Sequence, residues 1–214
     1  MSEAAKRAFD FEAMPSDASY RLMTATVVPR PIAWVTSLAP DGTPNAAPYS
    51  FFNVMGANPP VVAIGVIARA GAIKDTASNI RATGDFVVNV VPQRLKDQMN
   101  ITCVDAPPEV DEIALAGLAA VPSTKIRAPR IAEAPVAFEC VLHTLLETGP
   151  SQFLVVGRVV MAHIAESVLE GDERPRVDTP GLGLLGRMHG ADWYARTSDL
   201  FQLPRPTWPL PPTA

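Results

Sequence analysis

The stretch Pro29-Arg30-Pro31-Ile32-Ala33-Trp34-Val35-Thr36-Ser37-Leu38-Ala39-Pro40-Asp41-Gly42-Thr43-Pro44-Asn45-Ala46-Ala47-Pro48-Tyr49-Ser50-Phe51-Phe52 reads as two strands around a turn. Ile32, Trp34 and Thr36 alternate with Ala33, Val35 and Ser37, the two-residue period of a pleated strand. Pro40 to Thr43 supplies the turn, because Asp41-Gly42 tolerates the positive φ of a tight hairpin. The return strand, Asn45 to Ser50, is built of small and polar residues with Pro48 in its middle. Proline cannot donate to a ladder, so this strand belongs at an edge or a bulge. Small side chains also leave room for a flat group against the backbone. An ordinary edge strand explains the same residues, and the stretch alone favours that reading.

Working outward, Ser16 or Asp17 is expected to cap a helix running to Thr26, and Pro29 and Pro31 end it. Val61 to Ile67 is a nearly unbroken apolar run, expected as a buried strand. Lys74 to Thr83 reads as a helix with Asp75 as its cap and Gly84 at its C-terminal end. Phe86 to Val91 is a strand, and Pro92 opens a short helix with Leu95 and Met99 inside. Asp105 to Val121 reads as a loop plus a short helix. Two long strands, Val136 to Leu146 and Phe153 to Ile164, meet at Thr148-Gly149-Pro150-Ser151. Residues 170–180 form a charged loop, Gly181 to Gly190 a mobile glycine-rich flap, and Trp193 to Arg196 a last short strand.

Hydrophobic content of 48% and charged content of 19% over 214 residues suit a packed core. A net charge of −4 without a basic run argues against nucleic acid and anionic membranes as partners. No apolar run reaches the length of a bilayer span, and the N-terminus lacks a signal-peptide core. Cys103 and Cys140, solitary and far apart, read as reduced thiols, so a cytoplasmic location is expected. The 22 prolines favour extended structure over long helices. About six strands, hairpin turns and short helices point to a mainly β, antiparallel barrel or sandwich.

Gly181-Leu182-Gly183-Leu184-Leu185-Gly186 matches the dinucleotide fingerprint, but Pro175 to Pro180 precedes it where a buried strand is required. It is rejected as a nucleotide loop. The helix start Lys74-Asp75-Thr76 offers amides, a cation and hydroxyls to a phosphate, although Asp75 opposes this and most helix starts bind nothing. His143, His163 and His189 show no metal spacing; the first two read as structural, while His189 beside Arg187 is better placed for function. No nucleophile elbow supports a hydrolase. Trp193, Tyr194, Phe201 and Trp208, interleaved with prolines, read as an arm around a partner subunit or as a disordered terminus, the two readings standing level from Trp208 onward.

Taken together, several ordered blocks resemble the flavin reductase-like domain family. They are Pro29 to Ser37, Asp41-Gly42, Asn45 to Asn53, Lys74-Asp75-Thr76 with Asn79-Ile80, Gly84 to Asn89, Pro129 to Ile131, Pro135 to Cys140, Val156 to Val159, and Arg187 to Tyr194. The resemblance implies one domain over 18–205, an antiparallel Greek-key split β-barrel with a few short peripheral helices. Residues 1–17 would be an N-terminal arm and 206–214 a Pro-rich C-terminal tail. It further implies a homodimer with FMN near the interface. Trp34, Thr36 and Ser37 would lie along the flavin, with Ala47, Pro48, Tyr49 and Ser50 touching ring and ribityl chain. Ser50, Phe51 and Phe52 would lead to the phosphate, closed by Lys74 and Thr76. The implied chemistry is hydride transfer from NADH or NADPH to bound flavin and onward electron delivery, with Arg187 and His189 as candidate contacts to nucleotide or substrate. A partner monooxygenase is left open. The same fold would equally serve an FMN-binding electron carrier or storage protein, or a binding module that has lost flavin.

Overall fold

The computed structural model describes residues 4–68, 73–171 and 174–208. The helices are α1 (Ser16–Thr26), α2 (Asp75–Thr83), α3 (Lys96–Ile101) and α4 (Glu112–Leu115). The strands are β1 (Arg30–Pro31), β2 (Ala33–Leu38), β3 (Pro44–Tyr49), β4 (Phe52–Ala57), β5 (Pro60–Ile67), β6 (Asp85–Val90), β7 (Ala120–Val121), β8 (Arg130–Ile131), β9 (Val136–Gly149), β10 (Gln152–Ile164), β11 (Leu169–Glu170), β12 (Arg176–Val177), β13 (Leu185–Arg187) and β14 (Tyr194–Arg196). No helix among the described residues is long and apolar enough to cross a membrane.

One antiparallel sheet dominates, in the order β3-β2-β6-β9-β10-β5-β4. β3 and β4 stand at its opposite edges, yet only Ser50 and Phe51 separate them in the chain. The sheet must therefore curl until its edges approach. The Gly65 amide donates to the Phe51 carbonyl at 2.6 Å, carrying the β4–β5 pairing one residue into that short connection. The result is the split barrel expected from the sequence, mainly β with short helices around it.

The period-2 pattern of β2 resolves into two cores rather than one. Ala33 and Val35 face a cluster with Val62, Ile64, Val66, Phe86, Val88 and Val155, closed by Ala77 and Ile80 of α2. Ile32 and Trp34 face a second cluster with Val91, Leu95, Met99, Ile131 and Leu185. Both faces of β2 are dry, and that is why it carries almost no exposed residue.

Local expectations differ from the structure in four places. Pro15, without a side-chain bond, occupies the cap of α1, while Asp17 pairs with Arg21 one turn on at 2.6 Å. Lys74, not Asp75, takes the cap position of α2, which Gly84 ends in a left-handed conformation at φ 78°. The strand β4 lacks an apolar alternation and escaped the sequence reading. The stretch expected as a flap, 181–190, contains β13, paired to both β1 and β14, with Leu182 and Leu185 buried. Of the expected tail, residues 209–214 lie outside the described residues.

Candidate functional site

The edge strand β3 is the floor of two adjoining cavities. The first, about 480 Å³, lies between β3, the start of α2 and the segment from Thr102 to Glu112; its wall includes Ala47, Pro48, Tyr49, Lys74 and Thr76. The second, about 330 Å³, lies between α1, α3 and β13–β14; its wall includes Tyr20, Arg30, Ser50, Arg187 and Tyr194. Pro48 and Cys103 line both, so the two form one trough along β3. Volumes of this order suit a cofactor-sized ligand.

A hydrogen-bond chain holds the floor of the first cavity. The Glu112 carboxylate, 5% exposed, accepts from Asn45 Nδ2 and from the Ala46 amide, each at 3.1 Å. Asn45 Oδ1 accepts in turn from Thr76 Oγ1 at 2.8 Å. Asp111 caps α4 through the amides of Ile113 and Ala114, which fixes Glu112 over β3. Burial pushes the Glu112 carboxyl above its ordinary range, the Ala46 and Asn45 hydrogen bonds oppose this, and neighbouring Asp75 adds to it. Burial likewise pushes the Tyr49 phenol up, against a hydrogen bond with Thr76.

These shifts give a signed prediction. A carboxyl raised in the folded state stabilises below the ordinary carboxylate range, and that contribution is lost as pH rises through the folded value. Glu112→Gln is therefore expected to become more stable relative to the parent protein as pH rises from acid to neutral. Urea unfolding at both pH values measures it, and a gap that moves the other way refutes the assignment.

The structure sorts the sequence-derived residues. Ala47, Pro48, Tyr49, Lys74 and Thr76 come together in the first cavity, and Ser50 and Arg187 in the second. Trp34, Thr36 and Ser37 line neither cavity, and all three are 0% exposed. Trp34 Nε1 donates to Thr102 Oγ1 at 2.9 Å, Thr36 Oγ1 to the Pro129 carbonyl at 2.5 Å, and Asn79 Nδ2 to Ser37 Oγ at 3.3 Å. Phe51 and Phe52 line neither cavity; Phe51 packs on Tyr20 with centroids 6.1 Å apart, and Phe52 packs on the barrel core. His189 also stays outside both walls, stacked on Trp193 at 5.9 Å. Thr76 is 1% exposed, and its hydroxyl donates to Asn45 Oδ1. Lys74 is ion-paired with Asp105 at the exposed rim, a contact of the kind that yields readily to a competing anion. His163, expected to be structural, contacts buried Glu139 at 2.6 Å.

Sequence reasoning missed Glu112, Asn45, Cys103 and Arg30 as wall residues. Arg30 carried a signal: a lone cation between two prolines, at the head of an apolar strand. Glu112 carried none, because its partner lies 67 positions away.

The profile of the flavin reductase like domain matches residues 23–181. The chain belongs to the flavin reductase-like domain family. An uncharacterized protein of Deinococcus radiodurans is 40% identical over 205 residues, covering 94% of this chain and 90% of that protein. Among solved structures, nitrilotriacetate monooxygenase component B from Bacillus cereus superposes with a TM-score of 0.88 at 35% identity, covering 94% of this chain and all of that one (100%). The 2-nitrobenzoate 2-nitroreductase NbaA of Pseudomonas fluorescens gives 0.87 at 36% identity, covering 97% and 100%. Family membership makes this a flavin-related protein and gives the trough along β3 a cofactor class to be tested against.

Proposed function

We propose that this chain is an FMN-dependent oxidoreductase of the flavin reductase type, using NADH or NADPH as hydride donor. The observation that carries the reading is the continuous trough along β3, where Ala47 and Pro48 let a planar group approach the backbone closely. Bound there, FMN would supply hydride and electron transfer. The protein's part is to bind, orient and exclude water. Pro48 and the β3 backbone would support the ring, Tyr49 and Ser50 would flank it, and Lys74 with the first amides of α2 would receive the phosphate. Trp34, Thr36 and Ser37 act from behind by fixing β2, to which β3 is paired. Phe51 and Phe52 hold the bend that brings β3 and β4 together. Arg187 stands at the far end for the second substrate, and the names of the two solved relatives suggest electron delivery to a partner monooxygenase or to a nitro group.

The test is spectroscopic. The purified protein, or the protein reconstituted with FMN, is expected to be yellow and to bleach when NADH or NADPH is added without oxygen. A protein that binds no FMN overturns the reading; a yellow protein bleached by neither nucleotide leaves an electron carrier or storage protein. Lys74→Ala is expected to weaken FMN about tenfold while riboflavin changes little, since only FMN carries the phosphate. Equal loss for both ligands places the phosphate elsewhere.

We further propose a homodimer. The edge strand β4 exposes Val54 at 65% and Met55 at 63%, an apolar edge that isolated proteins normally shield. Val54→Lys with Met55→Lys is expected to shift the sedimentation coefficient from dimer to monomer. An unchanged coefficient would exclude β4 from the interface.

A further inference from the structure

The two halves of the trough differ in charge. The Lys, Asp and Glu side chains lining the first cavity are Lys74 against Asp75, Asp105 and Glu112. The second has Arg30 and Arg187 against Asp192 alone. The antiparallel register of β1 and β13 sets Arg30 directly opposite Arg187. Like charges facing each other across a strand pair repel. Neither arginine has an ion-pair partner among the described residues.

Arg30 is 7% exposed, and its donors all end on neutral acceptors. Nη1 donates to the carbonyls of Thr24 and Val27, each at 2.7 Å, and Nη2 to the Met188 carbonyl at 2.8 Å; Nε reaches Ser50 Oγ at 3.4 Å. Its hydrogen bonds are met, two of them by carbonyls at the C-terminal end of α1, and its guanidinium lies 6.0 Å from the Phe51 ring centroid, but no carboxylate among the described residues neutralises its charge. Burial and the neighbouring Arg187 both push the Arg30 guanidinium below its ordinary range, while Tyr20 opposes them. Arg187 spends one Nη2 hydrogen bond on the Gly190 carbonyl at 3.3 Å, and its guanidinium lies 4.7 Å from the Tyr194 ring centroid. That stacking holds the guanidinium as a fork at the cavity wall.

We infer that the Arg30–Arg187 pair is an anion site for the second substrate, taking a carboxylate or phosphate group that neutralises two facing cations while its planar body lies toward Pro48. The word "substrate" rests on the flavin reading above; the anion site itself does not. Arg187 is the contacting residue. Arg30 contributes its field and locks the end of α1, Ser50 and β13 around the cavity.

Calorimetric titration of the flavin-free and the FMN-loaded protein with sodium benzoate and with inorganic pyrophosphate tests this. At least one anion is expected to bind in both forms. Benzoate binding identifies an aromatic carboxylate as the source, and pyrophosphate binding a nucleotide. Arg187→Ala is expected to weaken the bound anion about 10- to 100-fold, the size of a lost charge-assisted contact. Arg187→Lys is expected to recover part of the affinity, because charge returns without the fork. No binding of either anion to the parent protein, or equal binding to Arg187→Ala, overturns the inference without touching the flavin reading. Displacement of the anion by FMN, with Arg187→Ala weakening FMN but not riboflavin, also overturns it, since the pair would then hold the flavin phosphate. Anion binding by a protein that takes no flavin would leave the site standing and remove the oxidoreductase.

Discussion

Replacing Trp34 by alanine is expected to lower the unfolding free energy by about 3–5 kcal/mol, the range for deleting a large enclosed aromatic side chain. Trp34 has no exposed surface and packs among Ile32, Val91, Leu95, Met99, Ile131 and Leu185. Its Nε1 donates to Thr102 Oγ1 at 2.9 Å, and Thr102 Oγ1 donates onward to the Met99 carbonyl at 2.8 Å. The indole therefore ties β2 to the C-terminal end of α3, next to Cys103 in the wall of the trough. Alanine removes both the volume and the donor. Trp34→Phe keeps most of the volume and is expected to lose much less. Denaturant unfolding of the flavin-free variants measures both, and FMN affinity of Trp34→Phe separates support from contact. If Trp34→Phe is as stable as the parent but has lost FMN, the indole is a cofactor contact after all and the burial argument fails.

The second large effect is expected at Glu139, which is 0% exposed near the start of β9. Its carboxylate accepts from the amides of Thr124 and Lys125 at 2.6 and 2.7 Å and meets His163 Nε2 at 2.6 Å. It thus pins the 123–128 loop against the sheet and accounts for a histidine inside β10. Burial alone would raise this carboxyl, but the Thr124 amide, His163 and the Lys125 amide prevail and hold it below its ordinary range. Glu139→Gln keeps one acceptor oxygen but turns its NH2 against the other backbone donor, and a loss of about 3 kcal/mol is expected from that donor left without an acceptor and from the lost charge-assisted bonds. The sign of the pH dependence follows. A carboxyl lowered in the folded state stabilises above the ordinary carboxylate range, and that contribution is lost as pH falls through the folded value. The deficit of Glu139→Gln should therefore widen from acid to neutral pH, opposite to the trend at Glu112. Identical slopes for the two variants would mean that neither carboxyl is perturbed as its surroundings imply.

Much of the fold was legible because local rules decide it. The alternation in Ile32 to Ser37, the Asp41-Gly42 turn and Pro48 on a strand of small residues predicted a hairpin with its second strand at an edge. β2 and β3 form that hairpin, and β3 is an edge of the main sheet. Gly84 closes α2 as expected, because a left-handed residue there suits glycine. β4 was not legible. Asn53, Val54, Met55, Gly56 and Ala57 carry no period, since this edge strand packs little of its surface within the chain. The glycine-rich stretch misled in the other direction, because composition suggests freedom where strand pairing on both sides removes it.

The candidate site divides along the same line. Sequence by itself determined the residue types that permit a flat ligand against β3, and the blocks that mark the family, because these rest on neighbours in the chain. Only the tertiary structure decided which of those residues keep any surface. Trp34, Thr36 and Ser37 lie beside β3 in the sheet, yet both faces of β2 are covered and all three are 0% exposed. The pairing of Arg30 with Arg187 across 157 positions, like that of Asn45 with Glu112 across 67, comes from long-range strand register and helix docking. Charges brought together that way leave no periodic trace in the chain, and they set the polarity of the two halves of the trough.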